Sequence, residues 1–274
     1  MRCSFYERRQ VLYGMWSAAL TTIPATALKF VNLPDMQYLA SGLVLNVKRC
    51  AEVLDATLTR FNEQTGILDK IVAWNEAGGN RQPPLEFPEC DRLVFEISQY
   101  RTTHQRMLYT VTLFESKKDT IKVPVVFISL QSPSIDIPMR VEIPLRALLR
   151  GGPPLSGTYS VYLHSLLADD GNEYIYYGIT KRGWNKRFSE HIKSAMRDHS
   201  KRSFPQKLRA LTGARVKQSA GEDGQEAKLT GIVSALCGVG LDRNSALAIE
   251  DRLIKKYSLS SKFIGGLNMI SGTP

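Results

Sequence analysis

The sequence contains no apolar run of the roughly 18 residues that a membrane-spanning helix requires, so no membrane partner is expected. It has no Cys-x-x-Cys pair either. Its four cysteines, Cys3, Cys50, Cys90 and Cys237, lie far apart, which speaks against a zinc site or a dense disulfide framework. Reduced thiols in a cytoplasmic protein are the simple reading. There are no internal repeats, and histidine is scarce, at four in 274 residues. Negative charge is in deficit: 36 Lys+Arg stand against 26 Asp+Glu, a formal net charge of +10. The expected partner therefore carries negative charge, nucleic acid being the commonest and an anionic membrane the next. What remains, 43% hydrophobic residues and 23% charged, is the composition of a globular chain with room for one large domain or two ordinary ones.

The charge is unevenly placed. Residues 1–150 hold 18 basic and 15 acidic residues, while residues 151–274 hold 18 and 11, so most of the excess lies in the second half. Within it, the stretch from Asn172 to Lys217 carries 12 basic residues against 3 acidic ones and is the anion-binding candidate. At the other end, Arg8-Arg9-Gln10-Val11-Leu12-Tyr13, a mildly apolar run to Leu20 and then Ala25-Thr26-Ala27 look like a twin-arginine export signal. Glu7 in the basic region and the dilution of the apolar segment by Tyr13, Gly14, Trp16 and Ser17 favour the alternatives, an amphipathic helix or a mis-assigned start in a cytoplasmic protein.

The expected fold class is α+β. Residues 1 to about 80 read as mainly helical, because Met36, Leu39, Leu43, Val47, Ala51, Leu54, Leu58 and Phe61 recur at i+3/i+4 spacing. Gly78-Gly79-Asn80-Arg81-Gln82-Pro83-Pro84 breaks the chain. Short β-type runs follow at Leu93–Ile97, Met107–Phe114, Val123–Leu130 and Met139–Leu145, separated by turns such as Ser116–Asp119. No catalytic constellation stands out in this half, where His104 is alone. Gly151-Gly152-Pro153-Pro154 marks the expected boundary between an N-terminal region, 1–150, and a second domain, 151–274. Beyond it, Thr158–Leu166 and Glu173–Thr180 read as a hairpin around the turn residues Asp169-Asp170-Gly171-Asn172. Helices are expected at about 184–199, 203–212 and 244–258, with a short one around 226–236.

Three features of the second domain carry chemistry. On the last helix, Ala246, Leu247, Ile249, Leu253, Ile254 and Tyr257 form one apolar arc, and Glu250 falls near its middle. A carboxylate taken out of water needs a cation, either a basic side chain or a divalent metal. On the helix after the hairpin, Trp184, Phe188, Ile192, Ala195 and Met196 form the buried stripe, with His191 at its edge and Arg187 one turn before it. An Arg fork can clamp a phosphate and an adjacent His can relay a proton, although the same pair suits an ordinary amphipathic surface. Finally, Tyr159, Tyr162, Tyr174, Tyr176 and Tyr177 crowd the hairpin, with Tyr174 and Tyr176 on one face and Tyr177 on the other. Packing explains tyrosine in a strand, but a phenol near a metal ion and an Arg could also ionise more easily than usual.

The order of these elements resembles the signature of the GIY-YIG nucleases: Gly157-Thr158-Tyr159, Tyr176-Tyr177-Gly178, Arg187 with His191 four residues on, Glu250 on a helix, then Gly265-Gly266-Leu267-Asn268. The resemblance spans residues 157–268. Thr158 and Tyr177 stand where the family usually has Ile, and the stretches between the triplets and from His191 to Glu250 are longer than usual. The resemblance implies a small antiparallel sheet flanked by helices and a metal-dependent endonuclease acting on DNA with Mg²⁺ or Mn²⁺. It implies Tyr159, Tyr176, Arg187, His191, Glu250 and Asn268 as site residues. Glu250 would be the sole carboxylate on the metal, Arg187 the phosphate grip, Tyr159 with His191 the group that orients or deprotonates water, and Asn268 a residue that shapes the site. Lys181, Arg182, Lys186, Lys193, Arg197, Lys201 and Arg202 would track the nucleic-acid backbone. The alternatives are a nucleic-acid-binding protein that keeps the scaffold without cutting, and an exported protein whose basic face meets an anionic surface.

Overall fold

The computed structural model describes residues 28–40, 46–78, 125–131, 137–153, 155–197, 200–213 and 227–270, together with the backbone of 14–17, 92–101 and 107–116. The twin-arginine motif, all of the 78–84 break but Gly78, and His104 lie outside the described residues. The chain is α+β and divides into two compact units, the second running from Leu155 to Pro274 with the short segments Ser41–Leu43 and Gln131–Arg140. Among the described residues no helix is long and apolar enough to cross a membrane.

The first unit contains β1 (Gly14–Ser17), α1 (Leu33–Ala40), α2 (Val47–Thr65), α3 (Ile67–Glu76), β2 (Arg92–Arg101), β3 (Met107–Ser116) and β4 (Val125–Gln131). Strand β3 pairs antiparallel with β1 and β2, and β2 pairs parallel with β4, which makes a mixed sheet. The apolar periodicity of 36–61 does not build one helix. Asn46 caps α2 by accepting a bond from the Arg49 amide, and Gly66, at φ 64°, ends it in the left-handed conformation. Ala51, Leu54, Leu58 and Phe61 form its buried stripe. Asp55 lies among them, and its carboxylate accepts bonds from the backbone amides of Lys29, Phe30 and Val31 at 2.9, 2.6 and 2.9 Å. Residues 14–17, expected within a helical region, form a strand. Gly14 is a weak helix former and Trp16 a good strand former, and β3 supplies the hydrogen-bonding partner.

Strand β5 (Pro138–Pro144) and the single turn α4 (Leu145–Leu148) lead into the second unit. It contains β6 (Tyr159–Ala168), β7 (Glu173–Thr180), α5 (Trp184–Met196), α6 (Ser203–Thr212), β8 (Leu229–Leu241) and α7 (Arg243–Leu253), which runs on into a wider π-type turn at Ile254–Ser258. Strand β6 lies between β7 and β8, antiparallel to both. One face carries Leu163, Tyr177 and Ala235 against Ile254. The other carries Tyr162, His164 and Tyr176 against Phe188 and His191 of α5 and Phe204 of α6. With both faces of β6 covered, nearly all of its side chains are buried.

Two expectations are corrected here. The stretch expected to hold a short helix at 226–236 is β8, whose six consecutive buried residues show no strand-type alternation. Gly231, Gly238 and Gly240 disfavour a helix, and pairing with β6 supplies the bonds a helix would have made internally. Met196, expected in the buried stripe of α5, is 46% exposed, because the helix ends there and Arg197 turns to an extended conformation.

Candidate active site

The second unit assembles a cluster around Tyr162. Its ring faces Gly178 across the β6–β7 ladder, and a Cβ at Gly178 would stand 2.5 Å from the Tyr162 hydroxyl and 2.6 Å from the carbon that bears it. The glycine is therefore a condition for the ring's placement, since such an approach is closer than carbon and oxygen allow. Tyr162 is 1% exposed, and its hydroxyl lies 3.2 Å from His191 Nε2. The positive charge of Arg187 acts on the same hydroxyl, and the Tyr176 phenol is coupled to it. The Tyr176 ring meets His191 edge-on, with centroids 5.2 Å apart.

Helix α5 delivers Arg187 and His191 because Trp184, Phe188, Ile192 and Ala195 anchor its other positions in the core. Gly183, at φ 90°, makes the turn into it, a conformation that only glycine adopts readily. His191 belongs to the buried stripe and is 3% exposed, not placed at its edge. Burial first, then the positive charges of Arg187 and Arg202, push its imidazole down to about 3, so the ring is neutral at physiological pH. Arg187 is half-buried. Burial alone would weaken its hold on its proton, but the hydrogen bond to Glu190 and the Tyr162 hydroxyl outweigh it. Arg187 Nη1 donates to Glu190 Oε2 at 2.9 Å, and Arg182 Nη1 approaches Glu190 Oε1 at 2.9 Å.

Glu250 comes from α7, on the opposite side of the unit's sequence. Asp242 starts that helix by accepting bonds from the Ser245 amide and hydroxyl at 2.9 and 2.6 Å. The Glu250 carboxyl is half-buried. Burial raises its affinity for a proton, a hydrogen bond from the Ile179 backbone lowers it, and the neighbouring Asp251 charge raises it again, the net shift being upward. Among the described residues no basic side chain forms an ion pair with it. Its negative charge nevertheless reaches both Tyr162 and Tyr176, as does the positive charge of Arg187. The two phenols thus stand within the fields of a guanidinium from one helix and a carboxylate from another.

A half-buried carboxylate with no cation beside it suits a divalent ion. Among the described residues no group of three or more His, Cys, Asp and Glu side chains gathers anywhere. An ion at Glu250 would thus have one protein carboxylate and otherwise water and substrate oxygens. That donor set fits Mg²⁺ or Mn²⁺ and not zinc, because hard cations of this kind tolerate a mostly aqueous shell.

The remaining residues singled out from the sequence fall into three groups. Tyr159 opens β6, half-buried, opposite Leu241. Register shifts between Tyr159 and Val161 and between Val161 and Tyr162 interrupt the strand there, and it is Tyr162 that reaches His191 and Arg187. Asn268 is buried away from these groups and works as a fastener. Its Oδ1 accepts bonds from the Tyr177 amide at 2.9 Å and the Ser258 hydroxyl at 2.7 Å, and its Nδ2 donates to the Tyr177 carbonyl at 2.9 Å. Lys181, Arg182, Lys186, Lys193, Arg197, Lys201 and Arg202 are all exposed, and the charge of Arg202 extends to Tyr176 and His191.

One residue of the cluster was not signalled by any motif. His164, fully buried two positions after Tyr162, places its ring 4.6 Å from that of Tyr162 and 5.8 Å from that of His191. Its Nδ1 meets the Ser234 hydroxyl at 2.8 Å, while Nε2 has no hydrogen-bond partner, and burial keeps the ring neutral. Only the two-residue strand period, which puts 162 and 164 on one face, could have pointed to it. No family model matches the chain, no curated protein matches it, and no solved structure matches it.

Proposed function

We propose that the second unit is a metal-dependent endonuclease domain that hydrolyses DNA phosphodiester bonds, similar in its site to the GIY-YIG nucleases. The observation that carries this reading is that the charges of Arg187 and Glu250 both reach Tyr162 and Tyr176. They come from different helices, they act on the same two phenols, and the carboxylate has no basic partner among the described residues. A Mg²⁺ or Mn²⁺ ion held by Glu250 would supply positive charge for the leaving oxygen.

The chain's own residues would do the rest. Arg187, with donors left after its bond to Glu190, would hold the non-bridging phosphate oxygens, where negative charge grows in the transition state. The role first assigned to Tyr159 passes to Tyr162, which has the necessary partners. The expectation of an easily ionised phenol is reversed, because burial holds both Tyr162 and Tyr176 protonated. Tyr162 would thus act as a relay. It would accept a proton from the attacking water while its own O–H proton passes to His191 Nε2, with the imidazole in its Nδ1–H form. The water oxygen forms the new P–O bond, the P–O bond to the leaving sugar oxygen breaks, and that oxygen takes a proton from solvent. Burial depresses His191 most, and a phosphate anion beside Arg187 and Arg202 would offset the part that their charges add, making it a better acceptor when substrate is present. Tyr176 would donate a hydrogen bond to the same phosphate.

The test is nicking of supercoiled plasmid with Mg²⁺ and with EDTA. Wild-type protein should cut only with the metal, and Glu250→Ala and Arg187→Ala should each lose at least a hundredfold in rate while keeping the fold, as removal of one transition-state contact commonly does. Full activity in either variant rejects the assignment.

A further inference from the structure

Arg187 presents a physical difficulty. A guanidinium on a long, flexible side chain can spread its donors over any acceptor in reach, and those donors are the ones meant for phosphate. The structure shows what stands against this. Glu190, one turn along α5 from Arg187 and on the side away from the buried stripe, takes Arg187 Nη1 at 2.9 Å on its Oε2. Arg182, from the loop before the helix, grips the same carboxylate with both terminal nitrogens, at 2.9 Å to Oε1 and 3.0 Å to Oε2. Glu190 is therefore itself anchored, and the anchor costs the cluster nothing, since Arg182 lies outside it. The charge of the guanidinium also reaches the Tyr162 hydroxyl. A guanidinium carries five N–H donors, so the bond to Glu190 orients it and still leaves donors for a phosphate.

We infer that Glu190 is a positioning residue that holds Arg187 open for a phosphate. The inference rests on the nuclease reading and deepens it. Charge and position make opposite demands here, which is what makes it testable. If Glu190 were only a negative charge on a basic surface, Glu190→Ala would tighten DNA binding and leave turnover alone. As a positioning residue, its loss frees Arg187 to leave this geometry, and turnover drops although the surface has become more positive. Misplacement of a catalytic contact by about 1 Å can cost a hundredfold.

The experiment uses the full chain and separates kcat for plasmid cleavage from the Kd of a labelled duplex measured in EDTA. For Glu190→Ala, kcat should fall tenfold to a hundredfold while Kd stays unchanged or tightens. Glu190→Gln, which keeps an oxygen for Arg187 to donate to, should recover most of the loss. Wild-type kcat in Glu190→Ala overturns the inference, and so does a parallel weakening of kcat and Kd that Glu190→Gln fails to repair, which would mark a structural defect. A wild-type chain that does not cut removes the nuclease reading and this inference together, whereas a cutting wild type with an equally active Glu190→Ala removes the inference alone.

Discussion

Two tyrosines three positions apart on β6 have different fates. Tyr159 sits half-buried at the strand's start, while Tyr162 lies under cover with His191, Arg187 and Tyr176 around its hydroxyl. Tyr162→Phe keeps the ring over Gly178 and removes only the oxygen, so plasmid cleavage should fall by two to three orders of magnitude, about the effect of a general acid–base group. Tyr159→Phe should cut at close to the wild-type rate, and the reverse ranking in a cleavage assay would return the role to Tyr159. The histidines make a second residue-scale statement. His191 is held down to about 3 in the folded chain, whereas an exposed histidine titrates near 6.5. Between those values the unfolded chain binds the extra proton, so folding stability rises with pH through this window and is lost as pH falls below about 6.5. The linkage amounts to about 2 kcal/mol between pH 7 and pH 5, and His164, shifted in the same direction, adds to it. Urea unfolding at the two pH values should show this loss, and His191→Gln should reduce it; an unchanged slope would mean that His191 is not buried neutral.

At the scale of elements, the helices were legible and one strand was not. In α2 and α5, residues such as Leu54 and Leu58, or Phe188 and Ile192, repeat at the helical period because one face alone is buried, and that asymmetry survives in the sequence. Strand β8 is covered on both faces, so Ile232, Val233, Ala235 and Leu236 show no alternation, and a continuous apolar run does not distinguish strand from helix. The register shifts near Tyr159 are invisible for a related reason. They depend on how β6 meets β8, which no local pattern encodes. The candidate site was legible in Arg187, His191 and Glu250, whose side chains stand out against their helix faces, and illegible in Glu190 and His164, which look like an ordinary surface acid and an ordinary strand residue. The segment after α7 shows how a remote contact fixes an element. Gly265 and Gly266 let the chain pass so close to Glu173 and Ser258 that a Cβ would stand 2.2 and 2.5 Å from their carbonyl oxygens, and Asn268 then ties Tyr177 by both of its backbone groups. Asn268→Ala leaves that buried amide and carbonyl without partners and should cost about 3 kcal/mol, measured by urea unfolding. Cleavage by the molecules that remain folded should persist, because Asn268 touches none of the reacting groups; loss of cleavage at full stability would assign it a direct role.

Over the whole molecule, the positive charge is concentrated where the proposed chemistry is. The chain carries +10 in total, and the exposed basic residues from Lys181 to Arg202 lie on the loops and helices that build the cluster around Tyr162. Arg202 marks the inner limit of this surface, since it immediately precedes α6, whose Phe204 packs 5.1 Å from His191, and its charge is felt by both His191 and Tyr176. Lys228 is a contrasting position. It is also exposed, but its amide bonds Asp169 at the turn end of the β6–β7 pair, several residues along both strands from Tyr162 and Gly178. A DNA backbone gripped at the cluster would be neutralised by Arg202 and not by Lys228. Each phosphate contact releases condensed counterions, and the logarithm of the binding constant falls with the logarithm of salt concentration by about 0.9 per contact on duplex DNA. Arg202→Ala should therefore make the salt dependence of duplex binding shallower by about one. It should weaken binding to unrelated sequences equally, because a phosphate contact reads no bases. Lys228→Ala should leave the slope as it is. If both variants flatten the slope alike, the DNA lies along the unit without regard to the cluster; if neither does, the basic surface is a solvated face and the duplex must be held elsewhere.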